Sequence, residues 1–206
     1  MMLINLTGEP GAGKSTMAAG LFHQLKSRHW NAELVTEYTK ELILTGDQRS
    51  LADELLVFSE KYRRIKNLES VDIVITDSPL INSVVYGDTQ FGPAAGAFYE
   101  AVARSFDSIY FAVSRVVPYI PLGRMPDEQE AAAAGQTIIS HVSRLGAPMW
   151  MVEGRDDAIP GLVRIVEREA NRRHITRLQG LLPHQSDGVV KTLPYPVTEA
   201  ARSVAS

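Results

Sequence analysis

Gly8, Gly13, Lys14 and Ser15 stand at the spacing G-x-x-x-x-G-K-[ST] within the stretch GEPGAGKST. That spacing carries a defined chemistry, the capture of a polyphosphate. Glycines let backbone amides turn inward onto phosphate oxygens, a lysine at this place reaches the outer phosphates, and the serine hydroxyl can ligate magnesium. The candidate nucleotide contacts are therefore Gly8, Glu9, Pro10, Gly11, Ala12, Gly13, Lys14, Ser15 and Thr16. ATP with Mg2+ is the implied ligand pair. A chance glycine-rich turn is the competing reading, and the apolar run before the loop and the helical pattern after it weigh against that.

Two carboxylates and two arginines accompany the loop. Asp77 closes the apolar run VDIVIT, a place suited to holding magnesium directly or through water. Glu37, in LVTEYTKEL, is a candidate base for an attacking hydroxyl. Each has a plainer reading: Asp77 as a cap for SPLINSVVY, and Glu37 as an acid capping the next helix. Spacing alone does not say which of the two is base and which holds metal. Arg124 lies within the proline-rich RVVPYIPLGRMPDEQE and Arg115 at its start. An arginine closing over a terminal phosphate stabilises charge spreading onto its oxygens, and Arg115 joins the candidate nucleotide contacts.

Two absences narrow the use to which a captured phosphate is put. A motor that splits ATP carries a second acid after the strand-ending aspartate, where this chain has Ser78 and then Pro79. A guanine-nucleotide switch carries [NT]-K-x-D, which occurs nowhere in the sequence. A kinase is the class that remains, since an arginine-bearing lid would exclude the water that competes with an acceptor.

These residues need a scaffold that brings strand ends together. MLINL, NAELVTEY, VDIVIT, SIYFAV and APMWMV read as five strands. Between them lie helical patterns: KSTMAAGLFHQLKSRHW, QRSLADELLVFSEKYRRIKNLES, PAAGAFYEAVARSF, DEQEAAAAGQTIISHVSRL and DDAIPGLVRIVEREANRRHI. In the second of these, Leu51, Leu55, Phe58, Tyr62 and Ile65 predict the buried seam of one long helix. Alternation of strand and helix predicts an α/β fold with a doubly wound, five-stranded parallel sheet of nucleotide-kinase type. Thr7, Glu37, Asp77 and Arg115 then fall at or just past carboxyl ends of strands, where such sheets bind ligands. A kinase domain over 1–178 with a lid at about 115–127, then a loosely ordered or docking tail over 179–206, is the expected organisation.

Composition sets the outer bounds. The 206 residues carry 45% apolar and 22% charged side chains, a net charge of −3 and no cysteine. This fits one soluble domain and a reducing, cytosolic setting, and removes thiolate metal sites and cysteine nucleophiles. No membrane span or signal peptide is expected. The acidic balance is unhelpful for binding nucleic acid by bulk charge. Two basic clusters, KYRRIK at 61–66 and Arg164, Arg168, Arg172, Arg173 and Arg177, are either solvated helix faces or places for the phosphates of a polymeric acceptor. Arg63, Arg64 and Arg104 are further candidates for contacting an acceptor. The sequence leaves oligomeric state open, a homodimer included.

Taken together, GAGKST, AELVTEYTKEL, ITDSPL and YIPLGR make the chain resemble small phosphate-loop kinases of tailed bacteriophages over roughly residues 1–175. Some of these are 5-hydroxymethyluracil DNA kinases, which transfer the terminal phosphate of ATP onto the 5-hydroxymethyl group of a modified uracil in DNA. The resemblance implies that acceptor, a step of thymidine hypermodification, with a free nucleoside or nucleotide as the alternative. A more distant similarity to ribosylnicotinamide and deoxynucleoside kinases implies Glu37 as the base and Asp77 as the magnesium-side acid. An ATP-binding assembly or regulatory module with no acceptor is the reading from another class.

Overall fold

In the computed structural model the described residues are 1–116 and 128–178. Arg124, most of the expected lid and the 179–206 tail lie outside them. Five parallel strands, β1 (Met2–Thr7), β2 (Ala32–Val35), β3 (Ile73–Thr76), β4 (Ser108–Ser114) and β5 (Met149–Glu153), form one sheet in the order β2-β3-β1-β4-β5. The predicted α/β doubly wound sheet is therefore the observed one.

The alternation of side chains along β1 explains its two covered faces. Met2, Ile4 and Leu6 share a buried cluster with Met17, Leu21 and Leu25 of α1 (Lys14–Ser27). Leu3 points to the opposite cluster, built on α4 (Glu54–Lys66), α6 (Pro93–Arg104) and α7 (Glu128–Leu145) through Phe58, Tyr99 and Val142. The remaining helices are α2 (Tyr38–Thr45), α3 (Gln48–Leu51), α5 (Val84–Phe91) and α8 (Ile159–Arg172), the last lying with α1 through Leu162, Val163 and Val166. Among the described residues no helix is long and apolar enough to cross a membrane.

Two expectations require correction. The long helix predicted from Gln48 is broken into α3 and α4, because Asp47 accepts from the Ser50 amide and Asp53 from the Leu56 amide, starting a helix twice. The break shifts the seam: Val57, Phe58, Lys61 and Ile65 are buried, whereas Leu55 is 49% exposed. The second strand also stops at Val35, two residues before Glu37, and Tyr38 already begins α2.

The end of β5 is clamped against the phosphate loop. Gly154 donates its amide to Ser114 O at 2.9 Å, and a Cβ at Gly154 would collide with the Ala12 carbonyl oxygen. Gly154→Ala is expected to destabilise the fold by about 1–3 kcal/mol, the usual cost of overpacking, and to weaken nucleotide binding because the loop has to shift. Urea denaturation checks the first effect and calorimetric titration with ATP the second; an unchanged midpoint would mean that the clamp is not tight.

Candidate nucleotide and acceptor site

The loop between β1 and α1 takes its shape from glycine. Gly8, Gly11 and Gly13 all have positive φ, at 124°, 84° and 85°. At Gly8 any Cβ would run into the Val113 carbonyl oxygen of β4, so the loop can leave the sheet there only without a side chain. Gly13 caps α1 without a side-chain hydrogen bond, and no acid stands in the first turn of that helix. A helix start of this kind offers backbone amides and the positive end of its dipole to an anion.

Lys14 folds back over the loop, its Nζ donating to Gly8 O at 3.1 Å and Glu9 O at 2.9 Å. The ammonium is thereby held within the concavity that Gly8 to Gly13 make. Ser15 and Thr16 are exposed at the open start of α1.

Register brings the two carboxylates to one end of the sheet. Val35 pairs with Thr76 and Asn5 with Thr76, so Asp77 leaves β3 between the chains leaving β2 and β1. Adjacent strands are about 4.8 Å apart. Glu37 leaves one residue further along its own strand, as the first non-helical residue before α2, and makes no capping hydrogen bond with its side chain. The plain reading of Glu37 as a side-chain cap is therefore not realised.

Asp77 is 4% exposed, and its Oδ1 has no hydrogen-bond partner among the described residues. It caps no helix: the 3-10 turn beyond it, Leu80–Ser83, begins at Pro79, and the Ser78 amide bonds instead to Thr76 Oγ1 at 3.1 Å. A buried acceptor without a donor is costly unless a cation or a water supplies the missing interaction. The Asp77 carboxylate thus has the chemistry to hold a magnesium ion brought with a nucleotide. Among the described residues no group of three His, Asp or Glu side chains forms a self-contained metal site. One or two protein ligands plus phosphate oxygens is the usual magnesium arrangement on nucleotides.

Arg115, just past β4, lies 3.4 Å from Glu9 through Nε, and both side chains are largely covered. Arg115 thus contacts the loop through Glu9. Three further contributors carry no motif. Asn82 Oδ1 accepts from Thr7 Oγ1 at 3.2 Å, tying the turn after Asp77 to the end of β1. Gly154 closes the loop from the β5 side. Arg64 sits 4.7 Å above the Tyr38 ring and donates to Glu41 at 2.9 Å and Glu60 at 2.8 Å, bracing α4 against the first turn of α2 beside Glu37.

Most side chains of the basic clusters are paired with nearby carboxylates. Arg63 and Arg64 share Glu60, whose carboxyl they pull down to about 2 against the cost of its partial burial. Burial pushes the Glu54 carboxyl up toward its neutral form, and Lys61, 5% exposed, only partly opposes that. On α8, Arg172 and Arg173 bond Glu169, Arg173 also bonds Asp107, and Arg177 bonds Glu167. Arg104 donates to the Arg144 carbonyl at 2.8 Å.

Parallel strand order, glycine-turned loop, loop lysine and strand-end aspartate define an α/β phosphate-loop fold of nucleotide-kinase type. A family model described as an AAA domain matches residues 3–157, and the chain belongs to that family. Among solved structures, deoxyadenosine kinase from M. mycoides with bound dATP is similar, with a TM-score of 0.52 and 17% identity. The match covers 82% of this chain and 100% of that one, and it concerns the fold. No curated protein matches the chain.

Proposed function

We propose that the protein is a kinase that transfers the terminal phosphoryl group of ATP to a hydroxyl of a nucleoside. The observation that supports this reading is the register that brings Asp77 out of β3 next to β1, the strand leading into the phosphate loop, with Glu37 two residues past the end of β2 on the other side of β3. In the reaction, the acceptor oxygen forms a bond to the γ-phosphorus as the bond to the β–γ bridging oxygen breaks. ADP leaves, and the acceptor proton passes to Glu37. Lys14 and the loop amides hold the phosphates and stabilise the developing charge. Magnesium, when bound, neutralises phosphate charge, with Ser15 and Asp77 as its protein ligands. Arg115 sits at the rim of the same loop, and Arg124 is proposed as a second arginine closing over the terminal phosphate. Ser78 in place of an acid favours an alcohol over water as acceptor.

Two acceptors are supported by different features. A free nucleoside is favoured by the pairing of Arg63, Arg64, Arg172 and Arg173 with carboxylates on their own surface, which leaves a poor track for a DNA backbone. The motif set TEY, TDSPL and YIPLGR supports the second reading, 5-hydroxymethyluracil within DNA. Incubation with γ-labelled ATP, Mg2+ and either free nucleosides, hydroxymethyluracil-containing DNA or ordinary DNA separates them. Label on nucleosides alone supports the first, label on modified DNA alone the second, and label only in free phosphate overturns both.

Glu37→Gln tests the base. Turnover is expected to fall about 100-fold with KM for ATP little changed, within the usual range for removing a general base. Unchanged turnover would leave Glu37 as no more than the residue before α2.

A further inference from the structure

Glu9 is the one acid in the phosphate loop, where its charge by itself opposes an incoming polyphosphate. The surrounding geometry gives it a task. Its carboxylate approaches Arg115 at 3.4 Å, with the guanidinium side chain 13% and the glutamate side chain 20% exposed. The nearest nitrogen is Nε, the inner one of the guanidinium. From the other side Gly135 of α7 packs on Glu9, where an added Cβ would lie 2.9 Å from Glu9 Cβ and 3.1 Å from its amide nitrogen. Val113, two residues before Arg115, is pressed by Gly8, and Ser114 is bonded by the Gly154 amide. Glu9 thus touches both a residue just before segment 117–127 and the helix just after it.

We infer that Glu9 is a positioning residue for Arg115, fixing its guanidinium beside the phosphate loop, where its charge favours binding of the nucleotide phosphates. This rests on the reading of the loop as the ATP site. It assigns an acid in an anion site a favourable role: an arginine held in place loses less freedom on binding than one that must be recruited. Gly135 is the keying contact, since a larger residue there would displace Glu9.

The sign of one substitution separates this role from simple charge. By Coulomb's law alone, Glu9→Gln removes a repelling charge and tightens ATP binding. Loss of positioning weakens it, by about tenfold for one charge-assisted contact. Calorimetric titration with ATP is the measurement, since it needs no acceptor. The expected result is weaker binding in Glu9→Gln and in Arg115→Gln, with the double variant no weaker than Arg115→Gln alone. Glu9→Asp, which keeps the charge on a shorter arm, is expected to fall between wild type and Glu9→Gln, and it serves if the glutamine variant folds poorly. Unchanged or tighter binding in Glu9→Gln, or additive losses in the double variant, would overturn the assignment. A wild-type protein that binds no ATP would instead refute the loop reading on which it rests.

Discussion

Lys14→Met is expected to reduce phosphoryl transfer by about 1000-fold or more while the protein stays folded. The ammonium is held inside the loop by the Gly8 and Glu9 carbonyls, where a polyphosphate would come to lie. Methionine keeps the length and apolar stem of the side chain and removes only the charge and its donors. Folding changes little because the residue is half-buried at the start of α1, with the core contacts of that helix made by Met17, Leu21 and Leu25. Circular dichroism should superpose with wild type and ATP affinity should fall. Transfer at the wild-type rate would show that the phosphates are bound elsewhere.

The second large effect is expected at Asp77, and here activity and stability move in opposite directions. Asp77→Asn should lower turnover by about 100- to 1000-fold, the scale seen when a charge-stabilising group is lost, and should raise the magnesium concentration needed for half-maximal rate. Its Oδ1 is buried with no donor among the described residues, so in the absence of nucleotide the carboxylate is a cost to the fold. A neutral amide of the same shape reduces that cost, and Tm is expected to rise by a few degrees. Turnover and Tm measured on the same preparation check both halves. A fall in Tm with unaltered magnesium dependence would make Asp77 a structural residue.

The parts of the fold legible in the sequence were those with strong local signals. MLINL and VDIVIT read as interior strands because apolar residues fill both faces, and the loop glycines marked their own backbone geometry. Leu55 shows where periodicity misleads: its spacing matched a buried seam, but capping by Asp47 and Asp53 turned the helix start and left it in solvent. Capping depends on which of several aspartates meets a free amide, and spacing does not state that. The clamp by Gly154 was equally silent, since a glycine at a strand end looks like any turn until another chain segment presses on it. Arg64 was legible as basic but not as a brace, because Tyr38, Glu41 and Glu60 gather around it only in three dimensions.

Whether the bound phosphate passes to an alcohol is decided by phosphorus NMR of ATP turning over with Mg2+ and a nucleoside acceptor. The expected spectrum shows a new phosphomonoester resonance growing in step with ADP, with inorganic phosphate a minor product, and that resonance is lost in both Lys14→Met and Asp77→Asn. ADP appearing together with inorganic phosphate alone, at a rate indifferent to any nucleoside or hydroxymethyluracil-containing DNA, would contradict a kinase.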